Sequence, residues 1–189
     1  MMRAMPNMKV FVPCDAIEAK KATLAAAKLW GPVYLRFGRE KSSVFTTEAT
    51  PFAPGKAEVF WQSRGPEVLI IGCGALVYNA LIAARELEKE KISTVVLNCH
   101  TIKPIDDKKI TELAKKCGAV VTVEEHQVHG GLGGAIAELL AQKAPTPMEF
   151  VGMQDAYGQS GTAKELYEHY GMGVSHITAA VKRVCGRYT

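Results

Sequence analysis

This chain of 189 residues has no paired-cysteine framework, no basic stripe and no long apolar run. Each absence removes a class of function. The five cysteines (Cys14, Cys73, Cys99, Cys117 and Cys185) are scattered, odd in number and set among apolar neighbours. None stands in CxxC spacing, which argues against a zinc ribbon and makes free buried thiols in a reducing cytosol the economical reading. The 23 Lys and Arg are interspersed with 19 Asp and Glu, for a net charge of +4. With no basic patch and no recognition motif, nucleic acid is not an expected partner. No apolar run approaches the ~20 residues that span a bilayer. The segment Met1-Met2-Arg3-Ala4-Met5-Pro6-Asn7 lacks the apolar core of a signal peptide. A cytoplasmic protein with no membrane partner is expected.

Several chemical motifs are begun and not finished. Gly72-Cys73-Gly74 follows a strand, but Val77 stands where the third glycine of GxGxxG belongs, and Asn98-Cys99 replace the ribose-binding acid at the next strand end. A tight strand-to-helix turn is the better reading. Glu124, Glu125, His126 and His129 hint at a metal, yet they leave a strand into a loop with no third ligand suitably spaced, so no metal site is expected. No Ser/His/Asp or Cys/His set can be assembled, and no catalytic residue is assigned.

What the chain does contain is a regular alternation of strands and helices. Lys9 to Val12 and Pro32 to Phe37 read as strands around an alanine-rich helix, which Asp15 and Glu18 open as a capping box and Gly31-Pro32 ends. A polar, proline-bearing stretch follows, with a short strand near Ala57 to Trp61. After it come Glu67 to Ile71, Thr94 to Leu97, Ala119 to Val123 and Met148 to Val151 as apolar strands, separated by amphipathic helices. Thr162 and Glu165 form a second capping box. Uninterrupted apolar strands between amphipathic helices predict an α/β fold, a mostly parallel sheet with helices on both faces. Residues 66–189 are expected to form one domain, 44–65 a linker, and 1–43 a fragment of a second α/β domain that cannot close a core alone.

The corner from Val120 to Gly134 is the most distinctive stretch: a buried strand ends in Glu124-Glu125-His126, passes through Gly130-Gly131-Leu132-Gly133-Gly134 and restarts as a helix. Free N–H groups there would attract an anion. Close packing of the glycine backbone against a neighbouring domain or subunit is the preferred alternative. Arg36 and Arg39 leave the end of a strand together, where α/β sheets open their clefts, and guanidinium forks suit phosphate. His100 lies just past another strand end.

These blocks, in this order, resemble transketolases. Val12-Pro13-Cys14-Asp15-Ala16-Ile17-Glu18-Ala19 and Gly31-Pro32-Val33-Tyr34-Leu35-Arg36-Phe37-Gly38-Arg39 resemble the late part of the pyrimidine-binding domain. Pro51-Phe52, Gly55-Lys56-Ala57, Thr101-Ile102-Lys103-Pro104-Ile105-Asp106, Val123-Glu124-Glu125-His126 and the Asp155 to Leu166 block resemble the C-terminal domain. 1-Deoxy-xylulose-5-phosphate synthase and the β subunit of 2-oxoacid dehydrogenases share the architecture, but Val-Glu-Glu-His and Arg-Phe-Gly-Arg favour transketolase. The resemblance implies the C-terminal section of an enzyme that moves a two-carbon ketol unit between sugar phosphates, with thiamine diphosphate and Mg²⁺ as cofactors. In that family the cofactor ligands lie earlier in the pyrimidine-binding domain and in a separate domain, so none is assigned to this chain. Arg39 matches the arginine that contacts substrate phosphate, Arg36 neighbours it, and His100 takes the place of a phosphate-binding arginine in the related synthase. The implied partners are a transketolase N-terminal section, a second copy of the chain and sugar phosphates. A non-catalytic domain used for subunit or partner binding is the other reading.

Overall fold

Val68, Leu69, Ile70 and Ile71 have no exposed surface at all. A strand buried on both faces must lie at the centre of a covered sheet, and the computed structural model, which describes residues 1–186, places it there. In chain order the first elements are β1 (Lys9–Phe11), α1 (Ala16–Ala26), β2 (Val33–Leu35), β3 (Glu58–Gln62), β4 (Val68–Gly72), α2 (Leu76–Lys89) and β5 (Thr94–Asn98). Then follow β6 (Thr101–Lys103), α3 (Asp107–Cys117), β7 (Ala119–Gln127), α4 (Leu132–Lys143), β8 (Met148–Met153), α5 (Ala163–His169) and α6 (Val174–Gly186). The main sheet has the order β3-β5-β4-β7-β8. All its pairings are parallel except β3 with β5, which closes one edge antiparallel. The α/β class, mostly parallel and covered on both faces, is as the strand pattern requires.

Successive side chains of β4 serve opposite faces. Leu69 and Ile71 pack with Ile110 and Ala114 of α3 and Ile136 and Leu140 of α4. Val68 and Ile70 pack with Leu76, Ala80 and Leu87 of α2 and Ile177 and Val181 of α6. Each fully buried Leu or Ile contributes about 2 kcal/mol of transfer free energy, so this double-faced core dominates the stability of the chain.

The opening segment is tied into this core. β6, three residues between a strand and a helix of the second half, pairs antiparallel with β1, while β2 pairs parallel on its other side. Val10 and Val12 join the same apolar cluster as Leu69 and Ile71. Asn98 Nδ2 donates to the buried Glu18 carboxylate at 2.7 Å. Nothing in the sequence pattern marks β6, because a three-residue strand carries no period to detect. β3 lies inside the stretch read as a linker, and its sheet pairing makes that stretch part of the fold from Glu58 onward.

Helix ends follow local chemistry, with two corrections. The Asp15 carboxylate accepts the Glu18 N–H at 2.9 Å, but Glu18 turns back to the N–H of Cys14 rather than that of Asp15, so the box is not reciprocal. The Thr162 and Glu165 box is reciprocal. α1 stops at Ala26 rather than near Leu29, its last residues loosening into turns. β7 does not end at Val123: the charged residues through Gln127 remain in the strand, with a register shift before Gln127 pairs with Met153.

Candidate functional site

The anion at the glycine corner is the chain's own. Glu124, fully buried, accepts the N–H of Leu132 and of Gly133 at 2.7 Å each, and so fills the N-terminus of α4. His126 Nδ1 lies 3.0 Å from the same carboxylate. A negative group at this position satisfies two of the orphan donors and suits the helix dipole. A Cβ on Gly131 would collide with the Glu124 carboxylate and stand 2.9 Å from the Gln127 carbonyl. One on Gly133 would stand 2.6 Å from the Phe150 ring. The glycines therefore pack closely, Gly131 and Gly133 against their own half of the chain, while Arg3 of the opening segment donates to the Gly130 carbonyl at 3.1 Å and lies beside Gly134.

A third metal-type ligand does appear, from a place that spacing along β7 could not reveal. Cys73, just beyond the end of β4, brings its sulfur within 4.8 Å of the Glu124 and His126 ligand atoms. Burial, and then the Glu124 charge, raise the Cys73 thiol well above its ordinary range, so it stays protonated. His129 is exposed in the turn and takes no part in this group.

The large opening lies elsewhere, where the carboxyl ends of β2, β4, β7 and β8 meet. It is a cleft of about 1360 Å³ whose walls include Arg36, Arg39, Tyr78, Glu125, Ser160 and Tyr167. At its base Arg36 donates through Nη1 to Glu125, and Tyr167 OH donates to the other Glu125 oxygen at 2.8 Å. Burial by itself would raise the Glu125 carboxyl, but the bonds from Arg36 and Tyr167 outweigh it and hold the group below its ordinary value. Burial and Glu125 together push the Tyr167 phenol up. Arg39 stands clear, its side chain 95% exposed and, among the described residues, bonded to Glu40.

Two of the three anticipated substrate residues, Arg36 and Arg39, thus share one cleft. His100 does not. It is wholly buried, stacked on Phe52 at 4.2 Å between ring centroids, with Nδ1 bonded to Thr101 Oγ1. Burial, with Lys109 nearby, lowers its pKa to about 4. A sealed, neutral imidazole offers a phosphate neither access nor charge, so the carry-over of His100 from the related synthase does not hold in this fold. Glu125 and Tyr167 were missed as site residues; only the tertiary contact with Arg36 singles them out.

Residues 55–177 match the family pattern described as "Transketolase, C-terminal domain", and residues 1–43 match "Transketolase, pyrimidine binding domain". The chain belongs to the transketolase family. It is 38% identical over 186 residues to the 6-deoxy-6-sulfo-D-fructose transketolase subunit SqwH of Clostridium sp. (strain MSTE9), covering 98% of this chain and 57% of that protein. It is 37% identical over 184 residues to a putative transketolase C-terminal section of Methanocaldococcus jannaschii, covering 95% and 56%. Among solved structures, an inactive β4 tetramer of a split-gene transketolase superposes with a TM-score of 0.93 at 40% identity, covering 98% of this chain and 60% of that one. The chain spans a little over half the length of these transketolase relatives, and it corresponds to the C-terminal section of the family.

The transketolase family implies thiamine diphosphate and a divalent metal in the full enzyme, and the described residues do not fit that pair. The N-terminus of α4, the natural cradle for a diphosphate, is filled by Glu124. The Cys73, Glu124 and His126 group is thiol and imidazole on two sides of three, whereas Mg²⁺ takes an octahedron of oxygens.

Proposed function

We propose that this chain is the C-terminal section of a thiamine diphosphate-dependent transketolase, which transfers a two-carbon ketol unit between ketose and aldose phosphates. Within it the chain supplies assembly surfaces and the substrate-side cleft, in the cytoplasm, alongside an N-terminal section and further copies of itself. The observation that carries the reading is the exposed guanidinium of Arg39, paired with its sequence neighbour Glu40, at the rim of a large cleft built from strand ends. A guanidinium fork meets a phosphate with two parallel charge-assisted bonds, which fixes the sugar's far end while its carbonyl end reaches the cofactor. Family membership supports the reaction class, and the cofactor would be held by residues outside those described.

The test is reconstitution. A subunit of the relatives' full length that carries this sequence, mixed with a transketolase N-terminal section, should transfer ketol units from a phosphorylated ketose; no transfer by that mixture would sink the proposal. In the active complex, Arg39→Ala should raise KM for phosphorylated sugars by about tenfold or more, as loss of a charged hydrogen bond of 1.5–3 kcal/mol requires. An unchanged KM would remove Arg39 from the site.

A further inference from the structure

We infer that Glu125 and Tyr167, contributed by the second half of the chain, are positioning residues for the phosphate arm, and that Arg36 is its strut rather than a second phosphate ligand. The inference rests on the reading of Arg39 as the phosphate contact.

Between the end of β2 at Leu35 and Phe45 the chain has no regular structure. Among the described residues, one hydrogen-bonded tie joins this stretch to the second half: Arg36 to Glu125. The Arg39 to Glu40 pair is local and anchors nothing. The backbone at Gly38 passes close over the same carboxylate, near enough that a Cβ there would lie 3.8 Å from Glu125 Oε1. Glu125 is itself fixed from the far side, with Tyr167 of α5 on its second oxygen at 2.8 Å. The chain of contact therefore runs Tyr167, Glu125, Arg36, and then three residues along the backbone to Arg39.

The charges agree with this division of labour. The Arg36 side chain is 26% exposed and its partner 14%, so the pair sits in a medium where an unpaired charge is costly. Glu125 neutralises Arg36 through one oxygen and accepts the Tyr167 hydroxyl on the other. Arg39 keeps its charge in water, available to an incoming dianion. Separating a fixed arginine from a reaching one limits the ordering entropy that binding must overcome.

Loss of Glu125 should then loosen the arm without touching the reacting atoms. In the reconstituted complex, Glu125→Gln should raise KM for a phosphorylated ketose about three- to tenfold, with kcat within about twofold. KM for the corresponding ketose without phosphate should not move. Tyr167→Phe should act in the same direction and more weakly, and Glu125→Asp should recover part of the loss. Thermal melting tests whether each variant is folded, and Tyr167→Phe serves if Glu125→Gln is not. Equal changes for phosphorylated and unphosphorylated ketoses would mean that Glu125 merely supports the fold, which overturns the inference; so would an unaltered KM in both variants. If Arg39→Ala leaves the preference for phosphorylated ketoses intact, no phosphate arm exists and both readings fall. If Arg39→Ala abolishes that preference while Glu125→Gln and Tyr167→Phe do not alter it, only the positioning role falls.

Discussion

Glu124 shows how far one buried side chain determines its surroundings. Its carboxylate takes two backbone donors of α4 and stands beside His126, and this arrangement excludes a Cβ at Gly131. The glycine-rich corner is thus a consequence of a carboxylate that enters the helix start from the preceding strand. Removing the carboxylate leaves the Leu132 and Gly133 N–H groups buried without acceptors. Glu124→Ala should therefore lower unfolding stability by about 2–4 kcal/mol, seen as a lower urea midpoint at unchanged m-value. The residue types and the turn were legible in the sequence; the identity of the anion was not, since Glu124 reaches across eight residues to a donor pair that only the folded turn aligns. His100 was misplaced for the same reason. Its neighbours in sequence show a strand end, whereas Phe52, which seals it, comes from a distant loop.

Asp15 does for the opening elements what Glu124 does for the corner. It caps α1 through the Glu18 N–H and also accepts the Phe45 and Thr46 N–H groups at 2.9 and 2.7 Å, binding the segment after the arginine arm to the helix start. Lys21, two turns along α1, holds the Thr47, Glu48 and Thr50 carbonyls, and so fixes the same segment from its other end. Burial by itself would raise the Asp15 carboxyl, but the bonds from Glu18, Thr46 and Phe45 outweigh it, leaving the folded pKa below the ordinary 3.8. A depressed folded value means that the ionised form stabilises the fold above about pH 4, and that this contribution is lost as pH falls through the folded pKa. The stability difference between the wild type and Asp15→Asn should be present at neutral pH and shrink below pH ~4. A difference that stays constant down to pH ~2 would show that the charge is irrelevant there. Capping at Thr162 and Asp15 was readable from spacing, while β6 and the charged end of β7 were not. A strand of three residues has no period, and β7 keeps its strand geometry past Val123 because β8 pairs with it, against the local preference of Glu-Glu-His.

The molecule as a whole grades from a rigid centre to a lightly held margin. β4 and β5 are buried along their entire length and flanked on both sides. β2 is an edge strand with one neighbour, and Leu24, Trp30, Phe37 and Val44 stand exposed around it. Amide hydrogen exchange should be slowest in β4, β5 and the first half of β7, approaching the global unfolding free energy, and fastest from 36 to 44 and along β2. Comparable protection in β2 and β4 would contradict this gradient. Exposed apolar surface beside an open strand edge is the usual mark of an interaction surface. The apolar runs and helical periods of the second half were enough to specify its parallel sheet and two-sided core, because burial on both faces leaves a strand no other pattern to carry. The blocks that mark the family were likewise visible residue by residue. What no reading along the chain supplied was the set of contacts between segments far apart in it: β1 on β6, Glu18 on Asn98, and Arg36 on Glu125 with Tyr167. Those depend on where the folded backbone brings separate strand ends together, and they separate the arginine that reaches into the cleft from the one that holds it in place.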